Sequence, residues 1–175
     1  LDRVCMVWDA VENTESFSDA EGIPLRRLRA QIENAAAMHA ATWGGLPQLA
    51  HLQLPEFNQS GLSFFSGLMS LTKSKFDAAE IQIWDAIDRK LKNEKLCFSH
   101  VDFRYGNMIF YKEESPSAKK DSMVMVDWEA CSVTPFMWDC TYAMVVGLDV
   151  AERRKHHRVV IRQYLTLLQQ ERYAW

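Results

Sequence analysis

The stretch Ser99-His100-Val101-Asp102-Phe103-Arg104-Tyr105-Gly106-Asn107 sets a histidine, a carboxylate and an amide in the spacing H-x-D-x-x-x-x-N. Downstream, Val126-Asp127-Trp128-Glu129 adds D-x-E. These are the residue types that phosphoryl transfer needs around a nucleotide and its metal ions. Asp102, on the loop before Asn107, suits the group that accepts the proton of an attacking hydroxyl or orients it in line. Arg104 can offset charge on the transferred phosphoryl group. Mg²⁺ takes oxygen ligands and usually binds through one or two carboxylates plus the phosphates of its substrate, and Asn107 with Asp127 suffices for that. Glu129 shares the face of Asp127 if the strand continues, where it can hold a second ion or its waters. His100 reads as support for the loop, with its ring packed beneath the turn, and Gly106 as a place for strained backbone.

The elements that must position these groups follow from periodicity. Asn107 to Tyr111 and Met123 to Asp127 read as two short strands of a hairpin centred near Ser117, which sets Asn107 opposite Asp127. Leu25, Leu28, Ile32, Ala35, Ala36, His39 and Trp43 predict a helix opened near Pro24 and stopped by Gly44-Gly45. Phe76, Ala79, Ile83, Trp84, Ile87 and Leu91 predict a second. Thr134-Pro135 reads as cap and first-turn proline of a helix from Phe136 to Val146, and a last helix spans Val159 to Gln170. Val4 to Trp8 reads as a buried strand, Glu12 to Gly22 as a polar linker, and Leu62 to Leu71 as a short helix. The class is α+β, mainly helical.

Composition narrows the partners. The 175 residues are 48% apolar, enough for one domain or a large lobe of a bigger protein. Twenty basic against twenty-three acidic residues give a net charge of -3, so the chain shows no field suited to nucleic acid. It has no apolar run of membrane-spanning length and no secretory signal pattern, which makes a soluble, cytoplasmic protein the expectation. The four cysteines lack C-x-x-C spacing and fit small buried hydrophobes. His39 lies on the apolar face of its helix and reads as a core histidine. The basic run from Arg153 to Arg158 reads as a solvated helix start. Trp8, Trp84 and Trp138 fit packing, and Trp128 fits either an acceptor pocket or packing beneath the hairpin.

The run H100-V-D102-F-R104-Y-G-N107-M-I-F, then M-V-D127-W-E129, then F-M-W-D139, resembles the catalytic half of the aminoglycoside phosphotransferase and choline kinase-like superfamily. The helix with Met38, His39, Ala40 and Trp43 resembles that superfamily's L-H-A helix. The resemblance implies a protein-kinase-like C-terminal lobe that moves a phosphoryl group from ATP to a small-molecule hydroxyl with magnesium. Asp102 is then the base, Asn107 and Asp127 the metal ligands at the nucleotide, and Asp139 the brace of the catalytic loop. It also makes Val4 to Trp8, within residues 1–10, the hinge strand, and residues 11–175 the catalytic lobe. The Gly-rich loop and strand lysine belong to a small N-terminal lobe, which the resemblance places before Leu1. A lobe without that partner is expected to be inactive, to expose apolar surface and to self-associate. Val101 departs from the superfamily's usual glycine after the loop histidine. Aminosugars, choline-like amino alcohols and steroid alcohols stand open as acceptors, as does ATP against GTP. A protein kinase fits less well, because D127-W-E replaces D-F-G and A-P-E is absent. The alternative from another class is a non-catalytic binding or scaffold lobe.

Overall fold

Leu28, Ile32, Ala35, Ala36 and His39 fall three or four residues apart, and they form the buried face of α1 (Leu25–Ala41) in the computed structural model. The structure describes residues 13–18, 22–44, 77–79, 81–82, 86, 89, 95–112 and 123–174. Pro24 stands just before α1 with φ -58°, and its carbonyl accepts the N–H groups of Arg27 (2.8 Å) and Leu28 (3.1 Å). The helix stops at Ala41, so Trp43 lies in the turn beyond it, against Phe136 at 5.1 Å between ring centres. Gly44 takes φ 83°, a conformation free of penalty only without a Cβ, and its N–H donates to Leu96 O at 2.8 Å. That contact ties the end of α1 to the strand that leads into the motif.

Two small sheets frame the motif. β1 (Thr14–Glu15), β3 (Met108–Tyr111) and β4 (Met123–Met125) form one, in the order β1-β3-β4. β2 (Leu96–Ser99) and β5 (Ser132–Pro135) form the other, antiparallel, with Ser99 opposite Ser132. Two helices follow, α2 (Trp138–Gly147) and α3 (Val150–Ala174). The described chain is therefore mixed helix and sheet and mostly helical, compatible with a kinase-like C-terminal lobe.

The core joins these layers. α1 packs along α3, whose Val160, Tyr164 and Leu168 are buried on one stripe. Arg27, 1% exposed, leaves α1 to pair with Glu15 on β1, donates to Tyr111 O at 3.1 Å and lies 5.2 Å from the Phe110 ring centre. Gln31 Nε2 donates to Phe103 O at 2.8 Å. Two buried polar groups on one face of α1 thus fasten the helix to the hairpin and to the loop before it.

The structure departs from the sequence expectations in other elements as well. Thr134-Pro135 is not a helix cap: both residues belong to β5, where Thr134 Oγ1 donates to Ser99 Oγ at 2.7 Å, and the helix starts later, at Trp138. The last helix begins at Val150, because Asp149 Oδ1 accepts the N–H groups of Ala151 (2.7 Å) and Glu152 (2.9 Å) and so nucleates it. The basic run consequently lies within α3, with Glu152 paired to Lys155 and His156. Thr14 and Glu15, read as linker, pair with β3. Finally, the hairpin register differs by one: Met108 faces Met125, and Val126 N–H donates to Asn107 O at 3.0 Å, so Asn107 lies opposite Val126. Residues 78, 79, 81, 82, 86 and 89 are helical, within the predicted second helix. Val4 to Trp8, with the hinge, and Leu46 to Thr72 lie outside the described residues. Among the described residues no helix is long and apolar enough to cross a membrane.

Candidate active site

β2 delivers the chain into the loop, and α2 grips it there. Asp139, in the first turn of α2, is fully buried, and its two oxygens accept backbone N–H groups of the loop: His100 N–H on Oδ2 and Val101 N–H on Oδ1, each at 2.9 Å. A buried carboxylate needs such donors, and the helix N-terminus favours its charge. Behind it, His39 Nε2 faces Asp139 Oδ2 at 3.2 Å, and His39 Nδ1 lies 2.7 Å from the Tyr164 hydroxyl, which donates to Phe136 O. His39 is the satisfied core histidine that the sequence suggested, and it ties α1 and α3 to the brace.

The tension in the loop sits at Val101, with φ 73°, a left-handed conformation that a β-branched residue rarely takes. Its N–H is held by Asp139, and its carbonyl accepts the indole N–H of Trp138 at 3.0 Å. Gly106, where strain was expected, lies instead in the 3₁₀ turn Tyr105–Asn107 and has no positive φ. The loop then tightens through Asp102 N–H to His100 O (3.0 Å) and Arg104 N–H to Asp102 O (2.8 Å).

This backbone presents the Asp102 side chain, 30% exposed, with donors on both oxygens. Arg104 Nε (3.1 Å) and Asn107 Nδ2 (2.9 Å) meet Oδ2, and the Tyr142 hydroxyl of α2 donates to Oδ1 at 3.1 Å. Asn107 Nδ2 also donates to Asp102 O at 3.0 Å. With the amide nitrogen committed twice to Asp102, the amide oxygen of Asn107 is turned the other way and remains available to a hard cation.

Asp127 follows the residue paired with Asn107. It is exposed and takes φ 63°, ψ 59°, which ends the strand and opens a 3₁₀ turn, Trp128–Ala130. The strand that would have aligned Glu129 with Asp127 therefore stops at Met125, and Glu129 stands exposed on the turn. Among the described residues no three His, Cys, Asp or Glu side chains converge on one point. One amide and one carboxylate are nonetheless the kind of sparse donor set that magnesium accepts when phosphates complete its shell.

Trp128 resolves into packing. Its indole N–H donates to Met125 O at 3.0 Å, its ring stacks on Phe98 at 5.8 Å and 10°, and His100 lies 4.6 Å from it. His100 is fully buried, and its Nε2 lies 2.8 Å from Val126 O, linking the loop to the end of the hairpin. Burial, followed by the charge of Asp139, pushes the Cys140 thiol up to about 12. At Cys97, burial again leads and also lifts the thiol to about 12, the Ser99 hydroxyl opposing it. Neither thiol is a nucleophile at neutral pH.

The structure thus gathers Asp102, Arg104 and Asn107 into one cluster, with His100 and Asp139 beneath it. Tyr142 and the carbonyl contact of Trp138 are the parts that sequence reasoning missed. The available signal was a phenol one turn after Asp139 on an otherwise apolar helix. Against known proteins, the family model described as the ecdysteroid kinase-like family, EcKL, matches residues 51–173. No curated protein and no solved structure matches the chain.

Proposed function

Because the chain belongs to the ecdysteroid kinase-like family, among the protein-kinase-like small-molecule kinases, we propose that it carries the catalytic lobe of an enzyme that phosphorylates a small-molecule hydroxyl. The observation that carries this reading is the Asp102 carboxylate: part-exposed, with Arg104 and Asn107 on one oxygen and the other directed away from them. Bound Mg-ATP would supply the transferable γ-phosphoryl group and a cation to offset its charge. Asn107 through its amide oxygen and Asp127 would hold the metal.

In this reading Asp102 orients the acceptor hydroxyl and takes its proton. The hydroxyl oxygen bonds to the γ-phosphorus as the bond to the nucleoside diphosphate breaks. Arg104 steadies the Asp102 carboxylate and adds positive charge beside the reacting groups. His100 and Asp139 act through backbone groups of the loop and the hairpin end, fixing where Asp102 projects. A steroid hydroxyl, the acceptor class in the family's description, is the first to test.

The test is phosphate transfer from labelled ATP with Mg²⁺ by the full-length protein, offered an ecdysteroid, choline and an aminoglycoside. Asp102→Asn and Asp127→Asn are each expected to lose about 10²–10⁴-fold in turnover, the range of a general base or a metal ligand. Turnover unchanged in both variants would refute the assignment and leave a binding lobe.

A further inference from the structure

The two oxygens of Asp102 are held unequally. Oδ2 receives Arg104 Nε and Asn107 Nδ2, so both acceptor positions of that oxygen are filled. Oδ1 receives the Tyr142 hydroxyl, at 3.1 Å. A carboxylate oxygen offers two acceptor positions, and Tyr142 fills one of those on Oδ1. The remaining position is the place at which an incoming hydroxyl can donate.

Tyr142 also sits where it can hold that oxygen still. It lies one turn after Asp139 on α2, and residues three apart share a helix face. One face of α2 therefore contacts the loop twice: Asp139 takes the N–H groups of His100 and Val101, and Tyr142 reaches the Asp102 carboxylate. The backbone that carries Asp102 and the rotation of its side chain are both set from α2. Without the phenol, the carboxylate is restrained on Oδ2 alone, and its free oxygen can swing about the bond to that hinge.

We propose that Tyr142 is a positioning residue that fixes Asp102 Oδ1 toward the acceptor hydroxyl. This rests on the reading of Asp102 given above. Tyr142 holds the oxygen that receives the proton and does not itself receive it. The substrate hydroxyl then donates to Oδ1 beside the phenol oxygen.

Tyr142→Phe tests this in the full-length protein, because it keeps the ring and removes only the hydroxyl. Two activities are measured: Mg-ATP hydrolysis with water as the acceptor, and transfer to an ecdysteroid. The loss of one hydrogen bond to a charged group predicts a fall in kcat of about 10-fold to 100-fold in both activities. The KM for Mg-ATP and the melting midpoint are expected to stay at wild-type values. Wild-type kcat in Tyr142→Phe, while Asp102→Asn is inactive, overturns the proposal and leaves the reading of Asp102 intact. Activity that survives Asp102→Asn removes the reading itself. A Tyr142→Phe variant that loses kcat only together with its melting midpoint and Mg-ATP affinity also overturns the proposal, since it then acts through folding.

Discussion

Replacing Asp139 by asparagine keeps the shape of the side chain and changes only its capacity to accept. Two separate backbone N–H groups now bind its two oxygens, from His100 and Val101 at 2.9 Å each, and the residue is fully buried. An amide has one oxygen, so whichever way it turns, its NH₂ opposes one of those N–H groups. A buried donor left without an acceptor costs about 1–3 kcal/mol, and the surviving bond loses its charge assistance, so Asp139→Asn is expected to cost about 2–4 kcal/mol. Asp139→Ala strands both N–H groups and His39 Nε2, at about 3–5 kcal/mol. At about 2–4 °C per kcal/mol for a chain of this size, the melting midpoint of the asparagine variant falls by roughly 5–15 °C. Urea unfolding followed by tryptophan fluorescence supplies the free energy, and a thermal scan the midpoint. An Asp139→Asn protein within about 0.5 kcal/mol of wild type would refute the reasoning, because a change that small belongs to surface substitutions without buried partners.

Two further outcomes follow from the same geometry. Val101→Gly removes a β-branched side chain from φ 73°. Relief of about 1–3 kcal/mol of backbone strain outweighs about 1 kcal/mol of glycine entropy, so the urea midpoint is expected to rise, and a fall would show that packing of the Val101 side chain is the larger contribution. Burial lifts the Cys97 and Cys140 thiols from 9.0 to about 12. The folded chain therefore keeps protons that the unfolded chain releases above pH 9, so this stability is complete below pH 9 and is lost as the pH rises toward 12. The urea midpoint is expected to drop between pH 8 and about pH 10.5, and an unchanged midpoint would contradict the burial of both thiols.

What could be read from the chain was local. The helix at Leu25 shows itself because its buried residues recur within a few turns, and the hairpin because its two apolar runs flank a polar connection. The loop from His100 to Asn107 is similarly compact: Asn107 bonds to Asp102 five residues earlier, so motif spacing alone brought those two together. The burial of His39 followed from its neighbours on one helix face. Thr134-Pro135 was misread because a cap and a strand end use the same residue types, and the choice depended on Leu96–Ser99 being available to pair.

The sequence by itself determined the proposed reactive set, Asp102, Arg104, Asn107 and Asp127, since residue type and short-range spacing suffice to place such groups on one loop and one hairpin. Tertiary structure decided how that set is held. Tyr142 meets Asp102 across forty residues, Asp139 meets His100 across thirty-nine, and His39 meets Tyr164 across one hundred and twenty-five. The one-residue register of the hairpin and the left-handed turns at Val101 and Asp127 were likewise settled there. The physical reason is that a buried donor or acceptor takes whatever partner the packed helices bring within about 3 Å, and contacts between distant segments exist only once the chain has closed on itself.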